Sequence, residues 1–529
     1  MIENKNLVFR WLKFLFLIII TLGIVFRFTN LDRKIYWYDE IFTSLRVSGY
    51  RANEAEKQMS ERVVSFEEIQ KFQYPNLEKT AFNTIKGLAV EEPQLPPLYF
   101  LLTRFWVQIF GNSVAITRSF SAVCNVLTII AIYWLAQELF KSPLVGWITM
   151  ALIAVSPFNL LFAQTARHYS LWGLITILSC LALLRARRLN NFLSWGTYSI
   201  TVALGLYTLP LFLLAIAGHG IYIISIENFQ FNKTIKNYLK SLIVGILAFT
   251  PWIILTLIGI RAFKNTTSWL KDDFKYGTPE LAFNWLRHIA RLFIDLELNY
   301  SFDYTNPFPY IIPAIVIVIL TLYSVFFLCR HTNKESWLFI LSLIVMTTLP
   351  IMLLDLVSGG KRSGITRYFV PSYLGFQISV AYFLSTQLVP NSTIFWQRQF
   401  WKLVLIVLLL LGIISCINIS PAQVWWNNEA SKIGQIPDIT SIVNRTTKPL
   451  IISDRGWVDL VELSYNLNPN VKYELVNPKT FSQIPEEFSD YFLYKPSKDF
   501  QTKLKEKGYQ IQPSSQSDTS WLWRLNQNK

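Results

Sequence analysis

The residues best suited to chemistry lie in the stretch Tyr36-Trp37-Tyr38-Asp39-Glu40-Ile41-Phe42-Thr43. Asp39 and Glu40 are adjacent carboxylates flanked by Trp37 and Phe42, a few residues past the first strongly apolar run, which puts them at a bilayer surface rather than far out in water. A carboxylate shielded in this way can be tuned as a general base. Cations supply the opposite sign. Residues 358–367 are glycine-rich and carry Lys361, Arg362 and Arg367, the last followed by Tyr368, while Arg167 stands between Gln164 and Tyr169 in a tight turn. Arginine holds phosphate oxygens through paired hydrogen bonds, so these positions predict an anion site close to the membrane plane. Trp37, Glu92, Tyr99 and Tyr169 are the side chains expected to line a substrate or acceptor groove.

These groups need a scaffold, and the composition says which kind. The 529 residues are 52% hydrophobic and only 16% charged, with apolar runs repeatedly near membrane length, which fits a polytopic membrane protein and excludes a soluble multi-domain enzyme. Many of the 18 tryptophans fall at the ends of apolar runs, where headgroup anchors belong. In such a chain the net charge of +15 serves topology and anionic lipid rather than nucleic acid. Spans are expected near 9–27, 114–136, 143–163, 169–184, 193–209, 210–226, 240–259, 308–328, 337–356, 368–387 and 402–420, about eleven helices of membrane length. The first is read as an uncleaved span, since no small-residue cleavage site follows it. Arg185, Arg187, Arg188, Lys233, Lys236, Lys240, Arg330, Lys334, Arg398 and Lys402 all fall on the side of the N-terminus, which the positive-inside bias puts in the cytoplasm.

Residues 96–110 are apolar but too short to cross and carry Arg104 and Gln108, so they are expected to form an interfacial helix within a first outer loop over 28–113. A second outer loop, 260–307, holds Arg261, Lys264, Lys271, Lys275, Arg287 and Arg291. Residues 1–426 would then form the membrane domain and 427–529 a small extracytoplasmic α/β domain. Its strands are expected at 449–453, 471–476, 490–494, 509–512 and 520–525, with a helix at 458–467. The four cysteines lie within apolar runs at irregular spacing and form no disulfide framework or thiolate metal site. No cofactor is called for. The metal site is unknown, and a divalent ion held by Asp39 or Glu40 with His168 or His288 is left open.

Five short motifs in order now carry a resemblance. Trp37-Tyr38-Asp39-Glu40-Ile41-Phe42-Thr43, Pro96-Pro97-Leu98-Tyr99-Phe100-Leu101-Leu102, Arg118-Ser119-Phe120-Ser121-Ala122, Gln164-Thr165-Ala166-Arg167-His168-Tyr169-Ser170-Leu171 and Arg367-Tyr368-Phe369-Val370-Pro371 together resemble the protein-mannosyltransferase superfamily, glycosyltransferase family 39 and its bacterial relatives. One departure is that Gln94-Leu95, not histidine, precedes the first proline. The resemblance implies the GT-C fold. It also implies an inverting transfer of one sugar from a polyprenyl-phosphate donor to a lipid, glycan or protein hydroxyl on the outer face of a bacterial plasma membrane. Carried over by position, Asp39 would be the base and Glu40 a supporting or acceptor-orienting group, and Arg367 and Tyr368 would hold the donor phosphate with Arg167 nearby. An oligosaccharide ligase or oligosaccharyltransferase is the alternative, although Trp425-Trp426 is followed by Asn427-Asn428 where the latter group has an aspartate. A transporter or flippase of lipid-linked sugars ranks below both.

Overall fold

A computed structural model describes residues 2–270, 278–296, 308–389, 394–428, 433–481, 483–485, 487–514 and 521–526. Lys271 and Lys275 of the second outer loop lie outside the described residues. The chain divides into two compact units, one of 1–31, 88–99 and 118–421, the other of 32–87, 100–117 and 422–529. The second unit therefore includes most of the first outer loop along with the C-terminal residues.

The first unit is helical, with helices over every window read as a span. Six of the described helices are long and apolar enough to cross a membrane, or seven if one bent pair counts as a single span. Phe212–Ile226 is apolar but shorter. The window 143–163 is the bent pair: Pro143–Ala154 and Pro157–Ala163 meet at 62°. Pro157 has no N–H to give back to Ile153, so the first helix ends there with carbonyls exposed in an apolar interior. Arg27 meets that need from the end of the helix Ile2–Phe28. Its Nη1 donates to Ala154 O at 2.6 Å and its Nη2 to Ile153 O at 2.9 Å, while Nε is held by Asn125 Oδ1 at 2.7 Å. A side chain at Gly23 would collide with the Ala154 carbonyl, so only glycine lets the two helices approach this closely. The break aims Pro157–Ala163 and the turn after it, and Gln164 pins that turn by donating to Phe26 O at 2.8 Å and Thr29 O at 2.9 Å.

The second unit is built on a six-stranded sheet. Its strands are β1 (Val63–Val64), β2 (Pro449–Ser453), β3 (Lys472–Leu475), β4 (Asp490–Tyr494), β5 (Gln510–Pro513) and β6 (Leu522–Asn526), in the order β1-β3-β2-β4-β6-β5. β2 is parallel to β3 and β4, with Ile452 opposite Glu474 and Leu493. β6 runs antiparallel to both β4 and β5. Leu450, Ile452, Leu493, Phe500, Leu504 and Leu525 form the core on one face, as alternation along the strands dictates. β1 comes from the first outer loop and caps the β3 edge with Val63 opposite Glu474.

The helix Leu98–Phe110 is 13 residues long, about 20 Å, which is too short to span. Arg104 inside it is buried, donating to Val47 O at 2.7 Å and to the Lys79 carbonyl. Leu102, Phe105 and Ile109, at helical spacing, stay exposed and give the helix an outward apolar stripe.

Candidate active site

Asp39 and Glu40 occupy the first turn of the helix Tyr38–Ser48, where carboxylates complement the helix dipole. Trp37 is the N-cap without a side-chain capping bond, and the Tyr38 N–H donates to Glu462 Oε1 at 3.1 Å. That contact joins this helix to Trp457–Ser464, and the Phe42 and Trp457 rings meet edge-on at 5.7 Å. The two acids part company here. Glu40 is buried, while Asp39 is half-buried with one carboxylate oxygen shielded from solvent. Around Glu40 the aromatics are close: Tyr36 and Tyr465 lie 4.8 Å apart, and the Tyr36 hydroxyl meets Ser44 Oγ at 2.5 Å. Burial first, then Tyr74, Tyr36 and Glu40, push the Tyr465 phenol well above its ordinary value. Trp37 is buried, which makes it a wall behind the acids rather than an exposed platform.

In the first unit the cations sort into two groups. Arg367 lies over the Tyr169 ring at 5.7 Å. His168 lies within electrostatic reach of both Arg167 and Arg367 and is buried, with both ring nitrogens lacking a hydrogen-bond partner among the described residues. Burial, then Arg167 and Arg367, hold this imidazole well below its ordinary pKa, so it stays neutral beside two guanidinium groups. The Tyr99 ring meets His168 edge-on at 6.4 Å. Ser121 Oγ donates to the Arg167 carbonyl at 3.2 Å, so the Tyr99 hydroxyl, 2.8 Å from Ser121 Oγ, is the donor of that pair. Arg291 is buried within electrostatic reach of Tyr373, whose hydroxyl meets Thr366 Oγ1 at 3.0 Å one residue before Arg367. Arg167 and Arg367, from two separate segments, thus meet near the start of the helix Tyr169–Leu189.

Lys361 and Arg362 are placed differently. Arg362 Nη1 is 2.9 Å from Asp355 Oδ1, and the Ser363 N–H donates to the other Asp355 oxygen at 2.5 Å. Lys361 lies over the Trp269 ring at 5.3 Å. Tyr368 is half-buried in the short 3-10 helix Thr366–Phe369. Glu92 is half-buried just after Ala81–Glu91, its carbonyl accepting from Leu95 N at 2.9 Å.

His168 and His288 enter the sequence reading only as possible metal ligands, and Arg291 only as an outer-loop cation. His168 adjoins Arg167 in a motif already quoted, but nothing in the spacing brings it to Arg367. Among the described residues no three His, Cys, Asp or Glu side chains converge in a way that could hold a metal ion.

Residues 94–255 match the family described as dolichyl-phosphate-mannose-protein mannosyltransferase. No curated protein shows significant sequence similarity to the chain. Among solved structures, ArnT from Cupriavidus metallidurans in the apo state is similar at a TM-score of 0.56 and 11% identity, covering 96% of this chain and 97% of ArnT. The same protein bound to undecaprenyl phosphate gives 0.52 and 12% over the same shares. The Archaeoglobus fulgidus oligosaccharyltransferase tethered to an acceptor peptide gives 0.44 and 12%, over 74% of this chain. This chain spans only 57% of that archaeal protein's length. Over residues 94–255 the chain thus resembles this mannosyltransferase family, and over 96% of its length it shares the fold of ArnT.

Proposed function

We propose that the chain is an inverting glycosyltransferase that moves a single sugar from a polyprenyl-phosphate donor to a hydroxyl of a lipid, glycan or protein at the outer face of a bacterial plasma membrane. Asp39 takes the proton of the acceptor hydroxyl as its oxygen attacks the anomeric carbon. The new C–O bond forms as the bond to phosphate breaks, and the polyprenyl phosphate leaves with the electron pair. Glu40, buried among tyrosines, keeps the first helical turn in place. Arg167 and Arg367 hold the phosphate and stabilise the charge it gains on leaving, with Tyr368 beside them. Arg362 orders the loop and Lys361 lends further positive charge. Tyr169 carries Arg367 on its ring, Tyr99 holds the Arg167 turn, and Trp37 and Glu92 belong to the acceptor side.

The observation that carries this reading is the meeting of Arg167 and Arg367 around a neutral, buried His168. Two guanidinium groups beside one uncharged imidazole set up a positive potential that favours a phosphate. A structure of the same fold holding undecaprenyl phosphate supports the same ligand class here. The test supplies the purified chain with polyprenyl-phosphate monosaccharides and, separately, with lipid-linked oligosaccharides. The product's anomeric configuration is then read by NMR. Transfer of one sugar with inversion is expected; transfer of the oligosaccharide alone would make the chain a ligase.

A further inference from the structure

A cavity of about 640 Å³ opens at the other end of the membrane helices. Tyr169 begins and Arg187 nearly ends the same helix, so the two regions are about 27 Å apart along its axis. Nothing in the transferase reading uses this cavity.

Its charges are arranged in two poles. At one, Arg188 Nη1 lies 3.1 Å from Glu138 Oε1 and Lys141 Nζ lies 3.7 Å from Glu138 Oε2, so two cations share one carboxylate. At the other, Arg187 lies 3.2 Å from Glu227 Oε1 through Nε and 3.0 Å from Glu335 Oε1 through Nη1, so two carboxylates share one cation. Asn232 Nδ2 fixes the second Glu227 oxygen at 2.5 Å. The Tyr222 hydroxyl is buried beside Arg187. Arg187 and Arg188 are neighbours in sequence but point about 100° apart around the helix, which separates the poles within one cavity. The cavity is therefore neutral in sum but has a cation surplus on one side and a carboxylate surplus on the other. A simple anion is complementary to only half of it.

We propose that this cavity binds a zwitterionic group that carries a phosphate and a primary ammonium on a short linker, the chemistry of phosphoethanolamine. The phosphate sits at Arg188 and Lys141, and the ammonium donates to Glu335, Glu227 and the Tyr222 oxygen. Arg188, Lys141 and Glu335 are more than half exposed at their side chains, so a headgroup can reach them from the membrane surface. A quaternary ammonium has no N–H to give these acceptors and is discriminated against.

The test is native mass spectrometry of the full chain released from nanodiscs of equal phosphatidylethanolamine, phosphatidylcholine and phosphatidylglycerol content. Wild type is expected to retain the ethanolamine lipid about fivefold over either competitor, the yield of one charge-assisted hydrogen bond at a partly wet site. Glu335→Gln and Arg188→Gln, both exposed substitutions, are each expected to bring that ratio close to one. Equal retention of all three lipids, preference for the glycerol lipid, or an undiminished ethanolamine preference in both variants would overturn the proposal. Free glycerophosphoethanolamine added at millimolar concentration separates the sources. Displacement of the bound lipid supports the zwitterion chemistry with a soluble ligand, and persistence supports the same chemistry with a membrane lipid.

Discussion

Two cationic groups of the membrane unit look alike in sequence and differ in structure. Lys361 and Arg362 sit in a glycine-rich loop where Asp355, wholly shielded at its side chain, takes the Arg362 guanidinium on one oxygen and the Ser363 N–H on the other. Arg167 and Arg367 instead stand about a buried neutral histidine, one of them over a tyrosine ring. The first arrangement closes a loop. The second sets two guanidinium groups beside one uncharged ring, the arrangement on which the proposed phosphate role rests. What separates Arg362 from Arg167 and Arg367 here is the set of neighbours.

The largest effect that could break this contrast comes from Arg367→Ala. Donor kcat/KM should fall roughly a hundred- to a thousandfold, the range for losing a donor to a transition-state anion, while the thermal midpoint moves little. A fall confined to acceptor KM would contradict the phosphate role. Asp355→Ala should do the reverse, costing about 3 kcal/mol of stability by leaving the largely buried Arg362 uncompensated. Thermal unfolding in detergent measures it, and a stable variant with impaired donor use would erase the distinction between the two groups. Gly360 sharpens the same point more gently. At φ +130°, a Cβ there would lie 2.6 Å from Arg362 Nη1 and 3.0 Å from Asp355 Oδ1. Gly360→Ala should therefore cost about 1–3 kcal/mol through backbone strain and a disturbed ion pair, again with little effect on donor KM.

The smallest effect is on pH. Burial first, then Arg291 and Arg287, lower His288 from 6.5 to about 3, so it is neutral in the fold and takes a proton on unfolding. Its contribution to stability is full above pH 6.5 and declines as the pH falls towards 3, by at most about 1.4 kcal/mol per pH unit. His288→Gln should flatten that acid slope in a thermal-shift series between pH 7 and 5. An identical slope in both proteins would mean that other groups carry it.

Much of the scaffold was legible because it follows from local pattern. Apolar runs of membrane length became helices, and the runs expected as strands at 449–453, 490–494 and 520–525 became Pro449–Ser453, Asp490–Tyr494 and Leu522–Asn526. The 62° break at Val155–Ser156 was missed because the run across it is apolar throughout. Only Pro157 signals it, and the Arg27 guanidinium that makes it tolerable comes from more than a hundred residues away. β1 was illegible because two valines are too few to show a period. At the candidate site, residue types pointed to Asp39, Arg167 and Arg367. They could not reveal that Arg362 is held by Asp355, that Tyr99 and Trp37 are buried, or that His168 lies next to both arginines, since each depends on tertiary neighbours.

The central claim is that Asp39 is the base of a sugar transfer. The most direct measurement is transfer of radiolabelled sugar from a panel of polyprenyl-phosphate monosaccharides into extracted lipid and protein, comparing wild type with Asp39→Asn at matched expression and matched thermal midpoint. The account predicts transfer by the wild type and a loss of roughly 10²- to 10⁴-fold in the variant, the usual weight of a general base. Wild-type rates in Asp39→Asn, or no transfer by the wild type from any donor, would contradict it.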